Sequence, residues 1–223
     1  MSSITERLKT TLATIPEGVR LVAISKYHPA EAIAEAYNAG QLDFGENKAQ
    51  DLVVKQQSLP KDIRWHFTGH LQRNKIKYIA PFIYMIHSVD SYQLLEEINK
   101  HAAKAGRTIP CLLQIHIAEE ETKFGFTPEE CTEMLKDGSW KELKNVCISG
   151  IMGMATNTDD DAMIESEFTK LAAYFNELKS TVFKDCDPFR ELSMGMSDDY
   201  HLAIKHGSTL VRIGSKIFGI RNY

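Results

Sequence analysis

Lys26 stands at the end of an apolar run, the stretch 20–25 (RLVAIS), so its amine projects where the chain leaves a buried segment. An amine placed there is partly desolvated, which favours the neutral form and makes it a nucleophile for a carbonyl carbon. Taken alone, the residue reads equally well as a lysine reaching to a solvated rim. Far along the chain, two short apolar runs lead into turns of hydroxyl and glycine residues. One is 193–199 (SMGMSDD), with Ser193 and Gly195; the other is 212–215 (RIGS), with Arg212, Gly214 and Ser215. Each turn opens a helical segment, whose unpaired N–H groups and positive dipole end attract an anion. Either turn alone could simply cap its helix. An amine and an anion cradle together describe a site for a phosphorylated aldehyde, for which pyridoxal 5′-phosphate (PLP) is the candidate. Arg212 sharpens this, because a guanidinium facing the pyridine nitrogen cannot take up its proton and leaves the ring a weaker electron sink.

These residues need a scaffold that brings distant parts of the chain to one mouth. Eight apolar runs read as strands: 20–25, 42–45, 64–68, 82–87, 110–117, 146–152, 190–193 and 209–213. The second and seventh are short and partly polar. Helical patterns lie between them at 29–38, 91–104, 128–136 and 160–179, with a short helix at 215–218. Thr127 and Pro128 form a helix start, and Gly40 and Gly106 form helix stops. Strands alternating with helices imply a parallel sheet buried on both faces. Eight such units in 223 residues favour closure into a single (β/α)8 barrel over an open doubly wound sheet, since such barrels run to about 250 residues.

Barrel chemistry sits at the C-terminal ends of the strands. Reading those ends adds Asn47, which could hydrogen-bond a ring substituent or cap the next helix, and His66, a possible cofactor contact that also reads as a packed histidine. Ser88 and Asp90 read as helix-capping residues. No Gly-x-Gly-x-x-Gly or Gly-x4-Gly-Lys-Ser/Thr stretch occurs, which leaves dinucleotide and P-loop readings without support.

Composition narrows the classes further. With 26 basic and 30 acidic side chains, the net charge of −4 gives no reason to expect nucleic acid or an anionic membrane as partner. No run approaches the roughly 20 apolar residues of a membrane span. The first residues, SSITERLKTT, carry charges where a signal peptide would have its apolar core. Cys111, Cys131, Cys147 and Cys186 form no CxxC pair and read as reduced packing residues of a cytoplasmic protein.

Five stretches resemble the pyridoxal phosphate homeostasis proteins of the YggS/PROSC type, which share the barrel domain of alanine racemase. They are 23–29 (AISKYHP), 44–47 (FGEN), 65–75 (WHFTGHLQRNK), 192–199 (LSMGMSDD) and 207–214 (GSTLVRIG). Lys48 and Ala49 depart from the family's habit of an aromatic and an aliphatic residue after FGEN. The resemblance implies that Lys26 holds PLP as a Schiff base, that Ser193, Gly214 and Ser215 hold the phosphate, and that Arg212 meets the pyridine nitrogen. It also implies a carrier that balances vitamin B6 vitamers without established turnover, with PLP-dependent apo-enzymes as recipients. A racemase needs an acid/base group on each face of the bound amino acid. In alanine racemases the tyrosine that serves one face comes from an additional C-terminal domain, whereas this chain ends at Tyr223, ten residues after Ile213. The expectation is therefore one PLP-binding domain spanning 1–223, monomeric and cytoplasmic. The alternative is a small PLP-dependent racemase or lyase with Tyr27, His66 or another pocket group as the second acid.

Overall fold

Alternation between apolar and mixed positions makes each strand two-faced, and the observed fold uses both faces. A computed structural model describes residues 2–120 and 124–219. In it β1 (Arg20–Ile24), β2 (Asp43–Glu46), β3 (Arg64–Phe67), β4 (Met85–Val89), β5 (Ile109–Ile115), β6 (Val146–Gly153), β7 (Glu191–Ser193) and β8 (Leu210–Ile213) form a closed barrel in chain order. Every neighbouring pair is parallel, and β8 returns to β1 with Val22 opposite Arg212 and Ala23 opposite Ile213.

Around the barrel run α1 (Ile4–Leu12), α2 (Ala30–Asn38), α3 (Ala49–Ser58), α4 (Ile76–Ile79), α5 (Tyr92–Lys104), α6 (Pro128–Asp137), α7 (Asp161–Ser180), α8 (Tyr200–Lys205) and α9 (Ser215–Phe218). Several of their starts are written in local chemistry. Ser3 with Glu6, and Thr127 with Glu130, form capping boxes, while Asp160 accepts from the N–H groups of Ala162 and Met163. The capping box at Ser3 begins a helix that the N-terminal reading passed over.

Two apolar layers result. Outward side chains such as Leu21, Phe44, Trp65, Ile86, Leu113, Ile151 and Val211 pack with the helices in one large core. Inside the barrel a separate cluster of Val22, Met85, Leu112, Met152 and Leu210 fills part of the lumen. The rest of the lumen is polar, unlike the branched apolar filling usual in such barrels. Cys111 and Cys131 are buried packing residues, and burial pushes both thiols up, Cys131 to about 11. No helix among the described residues is long and apolar enough to cross a membrane.

Two expectations are corrected. The fourth strand runs later than 82–87, because Phe82 and Ile83 belong to the approach to β4. Ser88 therefore lies within β4, fully buried, and Ser91 is the residue that caps α5 through the N–H of Leu94.

Phe168 on α7 is fully buried against the barrel. Phe168→Ala is expected to lower the unfolding free energy by about 4 kcal/mol, the usual cost of emptying an aromatic core site. Urea denaturation measures it, and a loss below about 1 kcal/mol would mean that α7 is not anchored as described.

Candidate functional site

β1 ends at Ile24, and the next three residues turn sharply. Ser25 donates its N–H to the Gly45 carbonyl, and His28 closes the turn onto the Ser25 carbonyl. Tyr27 has φ +70, the one non-glycine residue in the left-handed region among the described residues. Strained backbone of this kind persists where surrounding structure over-determines it. Here the support is visible. Glu46, fully buried at the end of β2, accepts from Ser25 Oγ at 2.6 Å and from Lys55 Nζ at 2.6 Å, while Lys55 Nζ also reaches the Ser25 carbonyl at 2.9 Å. Burial pushes the Glu46 carboxyl up, and the Lys55 ammonium and Ser25 hydroxyl oppose that shift. This buried trio ties β1, β2 and α3 together directly behind Lys26.

On the other side of the mouth, the turn after β7 is held by its own backbone. Gly195 has φ +91, and a Cβ there would come within 2.6 Å of Ala203 Cβ and 2.9 Å of Tyr200 Cα. Only glycine lets this turn fold onto α8. Asp199 accepts from the Met196 N–H, and Ser197 Oγ accepts from the Gly214 N–H at 3.1 Å. That last bond staples the turn after β7 to the turn after β8. Gly214 has φ −118, and a Cβ there would sit 3.1 Å from the Ile24 carbonyl oxygen. The missing side chain lets the start of α9 close against the end of β1.

Between these walls lies an open cavity of about 200 Å³, lined by Ile24, Lys26, Thr68, Met154, Met196, Ser197, Asp198, Arg212, Gly214 and Ser215. The sequence-derived candidates Lys26, Arg212, Gly214 and Ser215 thus meet in one place. Arg212 is 4% exposed and donates to Ser193 Oγ at 2.6 Å and to the Gly153 carbonyl at 2.9 Å. Burial lowers its guanidinium to about 10, with Asp199 opposing, so it stays charged at neutral pH.

Three candidates fall elsewhere. Ser193 points into the barrel lumen beneath Arg212, fully buried, and the serine at the mouth is Ser197, four residues later. His66 is also fully buried, with Nε2 on Asp43 Oδ1 at 2.9 Å and Nδ1 on His87 Nε2 at 2.8 Å, so both ring nitrogens are occupied. It is a packed histidine and does not line the cavity. Asn47 lines a neighbouring depression with Lys48, His70 and Gln72. Nor does Asn47 cap α3, since Lys48 holds the N-cap position without a side-chain bond. Thr68, Asp198, Met154 and Met196 were not singled out from the sequence. Thr68, two positions beyond His66, was within reach, because strand period places both on the same face.

Burial holds His87 well below the ordinary imidazole range and lowers His66 as well, with Asp43 opposing the shift at His66. Burial alone would raise the Asp43 carboxyl, but its bonds to His66 and Arg64 hold it below the ordinary range. The lumen therefore carries neutral imidazoles ending on a carboxylate.

The chain matches the family described as alanine racemase, N-terminal domain, over residues 1–222. It is 38% identical over 210 residues to a pyridoxal phosphate homeostasis protein of Pasteurella multocida, covering 92% of this chain and 88% of that one. A pyridoxal phosphate homeostasis protein of Aquifex aeolicus is 36% identical over 227 residues, covering 100% and 97%. The chain belongs to the pyridoxal phosphate homeostasis protein family. Among solved structures, PipY of Synechococcus elongatus PCC7942 with PLP bound superimposes with a TM-score of 0.87 at 37% identity, covering 97% of this chain and all of that one. An alanine racemase of Streptomyces lavendulae, 17% identical, shares the fold with a TM-score of 0.76; the match spans 56% of its length.

Two outcomes follow from the buried charges. Lys55→Met strands the Glu46 carboxylate and is expected to cost about 3 kcal/mol in urea denaturation, while adding Glu46→Gln recovers much of that loss. If both variants were equally unstable, the ion pair would not be the cause. The second concerns pH. Because both lumen histidines are depressed, the unfolded chain binds more protons below its histidine pKa of 6.5. Their contribution is therefore complete above about pH 6.5 and lost as pH falls toward the folded values, by up to roughly 1.4 kcal/mol per pH unit for each histidine. Denaturation midpoints across this range test it, and a stability that rises on acidification contradicts it.

Proposed function

We propose that this chain binds PLP in the cavity at the barrel mouth and acts in intracellular PLP homeostasis. The observation that carries this reading is the meeting of Lys26 with Arg212, Gly214 and Ser215 around one open cavity. PipY, a structural relative, has been solved with PLP bound, and that supports the choice of cofactor. In this reading Lys26 would hold PLP through its amine as a reversible Schiff base. Ser215 and Gly214 would hold the phosphate, with Ser197 added to the expected set in place of Ser193. The fixed donors of Arg212 would face the ring, where they would admit an unprotonated pyridine nitrogen. When bound, PLP supplies an electron sink, and an arginine partner keeps that sink weak.

A carrier suits this lining better than a racemase or lyase. Among the described residues around the cavity there is one carboxylate, the exposed Asp198, and no tyrosine, histidine or cysteine. The two groups considered as a second acid are both unsuited. His66 is sealed in the lumen, and Tyr27 is 48% exposed outside the lining, with the Lys48 ammonium 5.5 Å from its ring centroid. Met196, 39% exposed at the rim, leaves the mouth accessible for release. The proposed setting is a cytoplasmic monomer that yields PLP to PLP-dependent apo-enzymes.

Absorption of the purified protein before and after adding PLP, beside Lys26→Ala, tests the assignment. A visible band in the wild type that borohydride removes and Lys26→Ala lacks is the expected result. No band with excess PLP would sink the cofactor assignment. Stereochemical scrambling of an amino acid that depends on Lys26 would replace the carrier with an enzyme.

A further inference from the structure

Beneath Arg212 a series of hydrogen bonds crosses the barrel lumen. Asp43 Oδ1 meets His66 Nε2 at 2.9 Å, and His66 Nδ1 meets His87 Nε2 at 2.8 Å. His87 Nδ1 meets Ser193 Oγ at 3.0 Å, and Ser193 Oγ meets Arg212 Nη1 at 2.6 Å. The five side chains come from β2, β3, β4, β7 and β8, and each is 5% exposed or less.

The ends of the series fix the direction of every bond. Arg212 has only donors, so Ser193 Oγ accepts from it. The Asp43 carboxylate only accepts, so His66 carries its proton on Nε2. A neutral His66 then presents Nδ1 as an acceptor and takes the Nε2 proton of His87. A neutral His87 in turn presents Nδ1, to which the Ser193 hydroxyl donates. All donors therefore point one way, from the mouth to Asp43 at the opposite end of the strands. There Arg64, 38% exposed along its side chain, closes the series on Asp43 Oδ2. Other charged or titratable groups at the start of the lumen are Arg20 on β1, Tyr84 ahead of β4 and Glu191 on β7, with Arg20 paired to Glu191.

Hydrogen bonds in series polarise one another in a low-dielectric interior, so a change at one end is felt at the other. Burying five polar side chains costs free energy unless all are paired, and packing alone would be served by the apolar residues that fill the remainder of this lumen. We propose that Asp43, His66 and His87 are positioning residues for PLP: they lock Ser193 as an acceptor toward Arg212 and thereby hold the guanidinium in place as a wall of the cavity. The inference rests on the PLP reading and extends it to residues that never touch the ligand.

Two substitutions at one position separate a continuous series from a local contact. In His87→Gln the amide takes the place of Nε2, keeping His66 and losing Ser193. In His87→Asn it takes the place of Nδ1, keeping Ser193 and losing His66. Asp43→Asn changes the far end with little change of shape. With the full chain, PLP affinity by absorption titration and the pH midpoint of the bound visible band are the readouts, with circular dichroism reporting folding. Each variant is expected to bind PLP about tenfold more weakly, the scale of one charge-assisted hydrogen bond, and to move the pH midpoint. Wild-type affinity and midpoint in His87→Asn and Asp43→Asn, whatever their thermal stability, would overturn the inference alone. If the His87 variants fail to fold, Asp43→Asn decides by the same two readouts. A wild-type protein that takes up no PLP overturns the function reading, and the inference falls with it.

Discussion

The pairing of β8 with β1 is the constraint on which the mouth of this barrel depends. Lys26 follows the first strand and Gly214 follows the last, so nothing local in the chain holds them together. The register that sets Ala23 opposite Ile213 makes them neighbours. Its tightest point is Gly214, where any side chain would press on the Ile24 carbonyl. The same register sets Arg212 opposite Val22, on the inward face of the strand. Closure thus delivers an amine, a guanidinium and a turn bearing Ser215 to one cavity, and it leaves no open edge at which the sheet could pair with another chain.

A polar lumen is tolerable because the apolar burial lies mainly elsewhere. The layer between strands and helices contains Trp65, Phe44, Phe67, Phe168 and Phe189, all essentially fully buried, in one continuous core. The lumen has only its small cluster around Val22 and Met152. Division of labour between the layers leaves the inward positions open to side chains chosen for hydrogen bonding. Such a network is acceptable only when complete, because one unpaired member in a low-dielectric interior costs more than the bond it replaces. The series from Arg212 to Asp43 meets that condition at every ring nitrogen, and burial keeps both imidazoles neutral so that one tautomer of each fits.

Much of the architecture was legible because it depends on local rules. Eight apolar runs, alternation with helices and the helix starts at Thr127 and Asp160 are written in neighbouring residues. The capping box from Ser3 to Glu6 was equally legible and was missed because the segment was read for targeting signals alone. The misplaced site residues share a physical cause. Strand period tells which face a side chain takes, but not its height along the barrel. His66 and Ser193 face inward, yet each stops short of the mouth, where Thr68 and Ser197 line the cavity instead. Lys26, Gly214 and Ser215 escaped this ambiguity because they lie beyond the last residues of their strands, and the longer side chain of Arg212, inside its strand, still lines the cavity.

The trio of Ser25, Glu46 and Lys55 poses a different question, since a buried ion pair seldom adds net stability over an apolar substitute. Its value here lies in what it holds still. Tyr27 occupies a left-handed conformation that costs a non-glycine residue about 1 kcal/mol or more, and it directly follows Lys26. Lys55 grips the Ser25 carbonyl and Glu46 grips the Ser25 hydroxyl, so the residue before Lys26 is fixed from the backbone and from the side chain. For an amine proposed to form and release a covalent link, such a support is a gain, because its entropy is lost once on folding and not again at each binding event. The support stands outside the cavity, behind the strand ends, where it constrains Lys26 without taking up space that a ligand would occupy.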